Sequence, residues 1–303
     1  MDILVWLNTL PGAAAQGMIW GMMAIGVFIT YKILDIADLT VDGSICTGAA
    51  VSAVLITNNV NPWLAMLAAV IAGMLAGLLT GLFHTILGIP AILSGILTQL
   101  ILWSVNLKIM GKANIGLSVR NFDLIIAQID IVKTIVILLV LVVALIMLLY
   151  WFFGTEKGAS LRATGNNINM SRAQGINTGA AKVLGLVISN GIVALSGGFL
   201  AQYQGNADIN MGRGAIVIGL AAVIIGEAFF SKLSTGFIVR LLGVVLGGVI
   251  YYFVYQTVIF LGLDADLLKM LSALIVALFL GAPYVKKNYF RSRSQKKGAG
   301  KNA

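Results

Sequence analysis

Two polar segments carry most of the residues that could contact a solute within an otherwise apolar chain. The first polar segment (35–48) reads DIADLTVDGSICTG, and the second polar segment (202–214) reads QYQGNADINMGRG. Each leads directly into an apolar stretch, and Thr40, Asp42 and Ser44 are residue types that favour the start of a helix. Ionisable groups at membrane depth are costly, so they mark functional sites by default. For the first segment, an ordinary capped turn outside the membrane is the alternative.

The two polar segments also resemble each other. DLTVDGS at 38–44 aligns with DINMGRG at 208–214. In the topology predicted below they start from opposite sides of the membrane, which is the pattern of an inverted repeat. We then expect both to approach the bilayer midplane and to frame a translocation path. For Thr98 and Gln99, which lie in an apolar stretch, an interhelical hydrogen bond is the alternative. The predicted path residues are Thr40, Asp42, Ser44, Thr98, Gln99, Asp208 and Asn210.

The residue types needed for catalysis are nearly absent. His84 is the single histidine and Cys46 the single cysteine, which excludes an intrachain disulfide, a cysteine-based zinc site and a histidine cluster. The phosphate-binding pattern G-x-x-x-x-G-K-[ST] does not occur, and a Ser/His/acid set is not available. The sequence therefore predicts no catalytic residue, no metal site and no cofactor held by this chain.

The composition is that of a membrane protein. Of 303 residues, 59% are hydrophobic and 10% are charged, against roughly 25% charged in a soluble domain. A net charge of +9 then indicates loops anchored on the cytoplasmic side rather than nucleic-acid binding. We predict an all-α polytopic bundle, since a spanning helix needs about 20 apolar residues. The nine predicted spans are 13–33, 43–58, 63–83, 90–110, 131–153, 181–203, 214–230, 236–261 and 266–284.

Charge and glycine patterns complete the predicted architecture. The positive-inside rule places the N-terminus outside and the C-terminus in the cytoplasm. Residues 1–284 then form the membrane domain, and the basic tail 285–303 lies against membrane lipids. Glycines at a spacing of four predict closely packed helix faces. These glycines are Gly73, Gly77 and Gly81, with the pairs Gly17 and Gly21, and Gly243 and Gly247.

The segment 154–180 is the longest polar interruption on the predicted cytoplasmic side, and a plain connector needs only a few residues. Residues 160–164 and 169–174 can each form a short helix bounded by glycines. Such a basic, exposed element is suited to dock a soluble partner, with a solvated loop as the alternative. The residues alone thus indicate a transporter or channel with a cytoplasmic docking loop.

The string SLRATGNNINMSRAQGIN in this segment resembles the cytoplasmic loop of permease subunits of bacterial ABC importers, in the branched-chain amino acid and simple-sugar group. Their pattern is approximately LRA-x-G-x-N followed by A-x-x-x-G-I; residues 161–167 fill the first part, and Ala173, Gly175 and Ile176 supply the second with Ala173 two positions closer to the glycine. DLTVDGS is similar to the family's D-L-S-V-G-S segment. GLAAVIIGEAFF is similar to A-A-V-V-I-G-G, with Glu227 where a glycine is usual. In this family the loop contains the helix that seats in the ATPase, so the resemblance implies coupling roles for Leu161, Arg162, Ala163, Gly165, Asn167, Arg172 and Gly175.

The resemblance also implies partners and a mechanism. The chain would be the permease of an ATP-driven importer in the bacterial cytoplasmic membrane, moving a small solute by alternating access. Its partners would be two ATPase subunits carrying ATP and magnesium, an extracytoplasmic substrate-binding protein and a second permease copy in a homodimer. Two stretches, KILDIADLTVDGSICTGAAVSAVLI and SGILTQLILWSVNLKIMG, are similar to a branch linked to amino acids, including tryptophan and tyrosine. The alternatives are an importer of a sugar or nucleoside, and an ion-coupled secondary transporter with Asp42 and Asp208 as carriers.

Overall fold

Helices make up most of the chain that the computed structural model describes, namely residues 3–230 and 236–262 with isolated positions between 270 and 281. The first helix continues without a break into a π-helical turn, Ile29–Ile33. Two strands of three residues interrupt the helical order. In chain order the elements are α1 Ile3–Phe28, α2 Val41–Thr57, α3 Pro62–Thr85, α4 Ala91–Met110, β1 Asn114–Gly116, α5 Ile131–Gly154, α6 Glu156–Asn166, α7 Ile168–Ala173, α8 Thr178–Gln204, β2 Asn206–Asp208, α9 Ala215–Phe230 and α10 Phe237–Phe260.

The prediction of a polytopic helical bundle is confirmed. Eight of the nine predicted spans correspond to helices, although α1 begins at Ile3 rather than near residue 13 and runs through Pro11. Six helices of the described chain are long and apolar enough to cross a membrane. The helices that follow the two polar segments are shorter, with 17 residues in α2 and 16 in α9. The ninth predicted span, 266–284, lies largely outside the described residues, and the tail 285–303 lies wholly outside them.

Local sequence explains where the helices stop and start. Asn61 caps α3 by accepting a hydrogen bond from the Trp63 backbone N–H, and Pro62 occupies the first helical position, where no N–H is needed. Gly111 and Gly205 end α4 and α8 with φ values of 67° and 70°, a left-handed conformation that glycine adopts without strain. The helices therefore begin and end at the breaks between the predicted spans.

Small residues allow the helices at the centre to approach closely. A methyl group at Gly73 would overlap the Asn190 carbonyl, and one at Gly77 would overlap the Leu186 carbonyl. This packing of α3 on α8 confirms the predicted glycine face. A methyl group at Gly17 would lie 2.6 Å from the Val249 Cα, so α1 packs on α10 in the same manner.

The helix packing repeats under an exchange of the two halves. The most extensive helix pairs are α3 with α8 and α1 with α10, while α1 and α8 also pack against each other. If α1, α2 and α3 are exchanged with α8, α9 and α10, the α3–α8 and α1–α10 pairs map onto each other and the α1–α8 pair maps onto itself. This is the arrangement expected of the predicted repeat.

The residue positions that form hydrogen bonds between α1 and α8 follow the same exchange. The Ser189 hydroxyl donates to the Gly26 carbonyl at 2.8 Å, and the Ser196 hydroxyl donates to the Ile19 carbonyl at 2.6 Å. The steps from 19 to 189 and from 26 to 196 are both 170 residues, so the exchange maps one pair of bonded positions onto the other, although α8 supplies the donor in both bonds. The step from 38 to 208 is again 170 residues, in agreement with the alignment of the two polar segments. A pseudo-two-fold relation therefore runs between α1 and α8.

A small antiparallel sheet was not predicted from the sequence. β1 pairs with β2, with Asn114 opposite Asp208 and Gly116 opposite Asn206. The pairing ties the 111–130 connector to the second polar segment. Since α5 has 24 residues and is about 36 Å long, it separates β1 from α6 along the bundle. We refer to these two ends as the β1 end and the α6 end.

Candidate functional site

The two polar segments meet at the starts of α2 and α9. The Gly214 N–H donates to Asp42 Oδ2 and the Ile216 N–H to Asp42 Oδ1, both at 2.9 Å. Asp42 lies in the first turn of α2, so one carboxylate caps the helix that follows the other segment. The partial positive charge at a helix N-terminus stabilises a carboxylate placed there. The predicted path residue Asp42 is thus a junction between the halves.

Cys46 strengthens this junction. Its sulfur accepts a hydrogen bond from the Gly212 N–H at 3.1 Å and donates to the Ile209 carbonyl at 3.4 Å. A side chain at Gly212 would overlap the Asp42 carbonyl. The second polar segment therefore packs directly against the first turns of α2, and Cys46 also joins the two polar segments.

A buried polar network lies directly behind this junction. Asn190 on α8 donates to Asp38 Oδ2 at 2.7 Å and accepts from the Ser44 hydroxyl at 2.6 Å. Asp38 Oδ1 accepts from the Thr40 N–H at 2.9 Å. Asn190 thus joins α8 to the first polar segment and to α2. Asp38 was missed as a site residue, although its charge within the first polar segment was a usable signal.

Three threonine hydroxyls extend the network across α2, α3 and α4. The Thr40 and Thr80 oxygens are 2.7 Å apart, and Thr80 donates to Thr98 at 2.9 Å. All three side chains are buried. Of the predicted path residues, Thr40, Ser44 and Thr98 therefore lie in a closed, hydrogen-bonded interior in this conformation.

A cavity of about 290 Å³ lies beside the junction, between α2, α4 and the second polar segment. Asp42 and Gln99 are the two predicted path residues in its lining. Asp208 and Asn210 do not line it. They form a local turn in which the Asp208 carboxylate accepts a hydrogen bond from the Asn210 N–H at 2.7 Å. The lining is Asp42, Gly43, Cys46, Gln99, Leu100, Trp103, Asn106, Ile209 and Arg213.

At the α6 end, α6 is built into the bundle. Leu161 is buried against Gly185 at the start of α8 and close to Leu34 after α1. Gly165 packs against the Ile33 carbonyl so tightly that a side chain would overlap it. Arg162 is exposed, but its guanidinium donates to the Phe153 carbonyl at the end of α5 at 2.7 Å. Among the predicted coupling residues, these three hold α6 to three other helices, and Ala163 is half-buried beside them.

The neighbouring α7 presents a different surface. Asn167 caps it by accepting from the Asn169 and Met170 N–H groups. Met170 has 59% of its surface exposed, and Arg172 and Gly175 are exposed as well. The two short helices predicted in this segment are confirmed, and α7 is the part that a soluble partner can reach.

Two further ionisable pairs lie at the α6 end. Glu227 forms an ion pair with Lys32 at 3.0 Å. The Lys182 ammonium donates to His84 Nε2 at 3.1 Å, so His84 Nδ1 carries a hydrogen and donates to the Ile89 carbonyl at 2.9 Å. His84 thus ties the end of α3 to the start of α8.

In the described chain, groups of three or more side chains suited to a metal ion are not found.

Comparison with known proteins decides the family. The family described as "Branched-chain amino acid transport system / permease component" matches residues 10–282. The chain belongs to this family. It is 41% identical over 265 residues to a "Tyrosine transport system permease protein" of Clostridioides difficile (strain R20291), covering 88% of each chain. The permease is also 32% identical over 283 residues to an uncharacterized protein of Rickettsia prowazekii (strain Madrid E), covering 93% of the permease and 99% of that protein.

No solved structure gives a significant match to the permease. The family assignment confirms the resemblance drawn from the loop and from the polar segments. It makes the chain the membrane component of a transport system, and the apolar helices agree with a multi-pass membrane protein.

Proposed function

We propose that this chain is the permease subunit of an ATP-driven ABC importer that moves an aromatic amino acid inward by alternating access. The observation that carries the proposal is the placement of α6 and α7. Leu161 and Gly165 fix α6 to the end of α1 and the start of α8, while α7 beside it exposes Met170 and Arg172. A partner bound to α7 therefore acts on the two helices related by the pseudo-two-fold exchange.

A mechanical route leads from α6 to the polar network. Gly165 contacts Ile33, and the connector 34–40 that follows carries Asp38 and Thr40. A displacement of α6 thus reaches the start of α2, where Asp42 holds α9. Such a two-state coupling is what alternating access requires, since one rearrangement must close one end and open the other.

The amino-acid substrate is supported by the relative named as a tyrosine transport permease and by the two stretches similar to the amino-acid branch. The partners follow from the family description, which is that of one component of a transport system. We propose two ATPase subunits, which bind ATP and magnesium, an extracytoplasmic binding protein and a second permease copy. The permease itself carries no proposed hydrolytic role.

The test is reconstitution with an ABC ATPase and a binding protein, and genes for both found beside the permease gene would supply the candidates. Wild-type proteoliposomes should take up L-tyrosine only with ATP. Met170→Glu and Arg172→Glu should each abolish stimulation of ATP hydrolysis by the loaded binding protein while the permease stays folded. Folding should survive Arg172→Glu because residue 172 lies beside Thr178 at the start of α8, where a negative charge is favourable.

Lys112→Glu is the matched control, since Lys112 is exposed and lies at the β1 end. It makes the same charge change at the end of the bundle away from α7 and should leave co-purification of the ATPase with the permease intact, which the two α7 substitutions should abolish. Stimulation that is unaffected by both α7 substitutions would contradict the docking role. Uptake driven by an ion gradient without the ATPase would instead support a secondary transporter.

We further propose that the permease lies in the cytoplasmic membrane with its N-terminus outside and its C-terminus inside. Asn121, at the β1 end, and Asn169, at the α6 end, are both exposed. Cysteines introduced at these positions should differ in labelling by a membrane-impermeant maleimide on intact cells, with Asn121→Cys labelled and Asn169→Cys protected. The buried Cys46 gives little background. The reverse labelling pattern would invert the proposed orientation.

A further inference from the structure

The cavity beside Asp42 contains a buried side chain whose hydrogen-bonding groups have no partner. Asn106 lies on α4 in the cavity lining and is fully buried, and neither its Oδ1 nor its Nδ2 has a hydrogen-bond partner among the described residues. Buried amides are almost always paired, because an unpaired one loses its bonds to water without replacement. An unpaired amide at a cavity wall indicates a ligand that supplies the missing bonds.

Two more polar groups in the lining are free within the described chain. Gln99 lies seven residues before Asn106, two helical turns away on the same face of α4, and no described residue forms a side-chain hydrogen bond with it. Arg213 is exposed in the second polar segment, and no described carboxylate pairs with it. The two oxygens of Asp42 are turned to the α9 backbone, so this neighbouring carboxylate does not form an ion pair with Arg213.

The remaining lining is apolar and partly flat. Trp103 lies between Gln99 and Asn106 along α4 and has 44% of its surface exposed. Leu100 and Ile209 complete the apolar wall. A volume of about 290 Å³ is at the lower end of the usual range of ligand pockets, so the cavity holds one small molecule.

We propose that this cavity is a solute-recognition subsite within the permease, and that its ligand is a single aromatic α-amino acid. Arg213 pairs with the carboxylate of the solute, and the aromatic ring lies against Trp103. Asn106 and Gln99 supply donors and acceptors to the remaining polar groups of the solute. Because the Asn106 amide is buried, the side chains around it must rearrange as the solute enters. This subsite rests on the proposed transport function.

The experiment uses the complete transporter in proteoliposomes, with L-tyrosine as the probe. Arg213→Gln and Asn106→Leu should each lower L-tyrosine uptake about tenfold, the usual effect of one lost hydrogen bond to a bound solute. Stimulation of ATP hydrolysis by the loaded binding protein should persist, so that less solute is moved for each ATP. Lys112→Gln and Ser104→Ala, which alter exposed residues outside the cavity, should behave as the wild type.

Thermal unfolding separates recognition from folding. Asn106→Leu replaces an unpaired buried amide by an apolar side chain of similar size, so its Tm should equal or exceed that of the wild type while its uptake falls. Wild-type uptake in both variants would overturn the subsite. A fall in uptake that only follows a lower Tm would also overturn it, since the amide would then be structural. Failure of the wild-type transporter to take up L-tyrosine with ATP would instead overturn the proposed function.

Discussion

Asp42 and Gly214 join the two halves of the protein, because the carboxylate of Asp42 accepts the Gly214 N–H at 2.9 Å across 172 residues of sequence. The bond crosses between the starts of α2 and α9. A second bond, from the Ile216 N–H to the other carboxylate oxygen, fixes the orientation of the side chain. The halves are thus held together at the point where their aligned polar segments meet.

Two substitutions of Asp42 should lower the stability of the fold to different extents. Asp42→Asn keeps one oxygen acceptor but sets an amide NH2 against the other backbone N–H and removes the charge at the α9 N-terminus, which together should cost about 1 kcal/mol. Asp42→Ala removes both hydrogen bonds and should cost about 2 kcal/mol. Thermal unfolding in detergent should rank the wild type above the asparagine variant and the alanine variant last.

Asp130→Ala is the control for this series, since Asp130 precedes α5 without making a side-chain cap. Its Tm should match that of the wild type. An alanine variant of Asp42 as stable as Asp130→Ala would show that the junction does not hold the halves together.

The pseudo-two-fold relation predicts matched effects of substitution at Ser189 and Ser196. Each hydroxyl makes one buried hydrogen bond across the α1–α8 contact, so each alanine variant should lose about 1 kcal/mol of stability. The double variant should lose the sum of the two, because the bonds do not share a partner. Thermal unfolding of the three variants measures both quantities. A cost at one serine alone would mean that the two bonds are not equivalent.

The close approach of α3 and α8 should not tolerate a methyl group. Gly77→Ala places its Cβ against the Leu186 carbonyl, which cannot move without shifting α8, so the free energy of unfolding should fall by about 2 kcal/mol. Gly154→Ala, where the new Cβ meets nothing within 4 Å, should have no comparable cost. Chemical or thermal unfolding of the pair provides the test, and equal stabilities would rule out the tight contact.

The Asp38–Asn190 pair should be exchangeable. Asp38→Asn or Asn190→Asp alone should cost about 2 kcal/mol, because each leaves two donors or two acceptors facing each other in a buried site. Asp38→Asn combined with Asn190→Asp restores one donor opposite one acceptor and should recover part of that loss. Stabilities of the four proteins form a double-mutant cycle. A double variant no better than the sum of the single ones would exclude direct pairing.

The helical architecture was accessible from the sequence because its signals are local. Runs of apolar residues bounded by glycine, proline and asparagine fix where α3 and α4 begin and end, and the short helices α6 and α7 follow from capping residues such as Asn167. The repeat was accessible because seven residues of each polar segment align at one step along the chain. Asp42, Gln99 and the docking segment were predicted because they are polar positions within or between apolar stretches.

The remaining features depend on contacts between distant residues. The sequence around Asn114 shows no strand periodicity over its three residues, so the pairing with Asp208 exists only through the fold. Asn106 is one polar residue in an apolar helix, and its lack of a partner is a property of the packing around it. Leu161 carries a family motif, yet only the structure shows that its side chain faces α8 rather than a soluble partner.

The two polar segments are each tethered to a different end of the bundle. The first is continuous with Ile33, which α6 grips through Gly165, and the second contains β2, which β1 holds by backbone pairing. Force applied at either end therefore arrives at the same bond, between Asp42 and Gly214. If the two proposed partners bind at these ends, any effect of docking at the β1 end on affinity at the α6 end must, by linkage, be returned by the same factor. The two proposed partners would then change each other's affinity for the permease by equal factors.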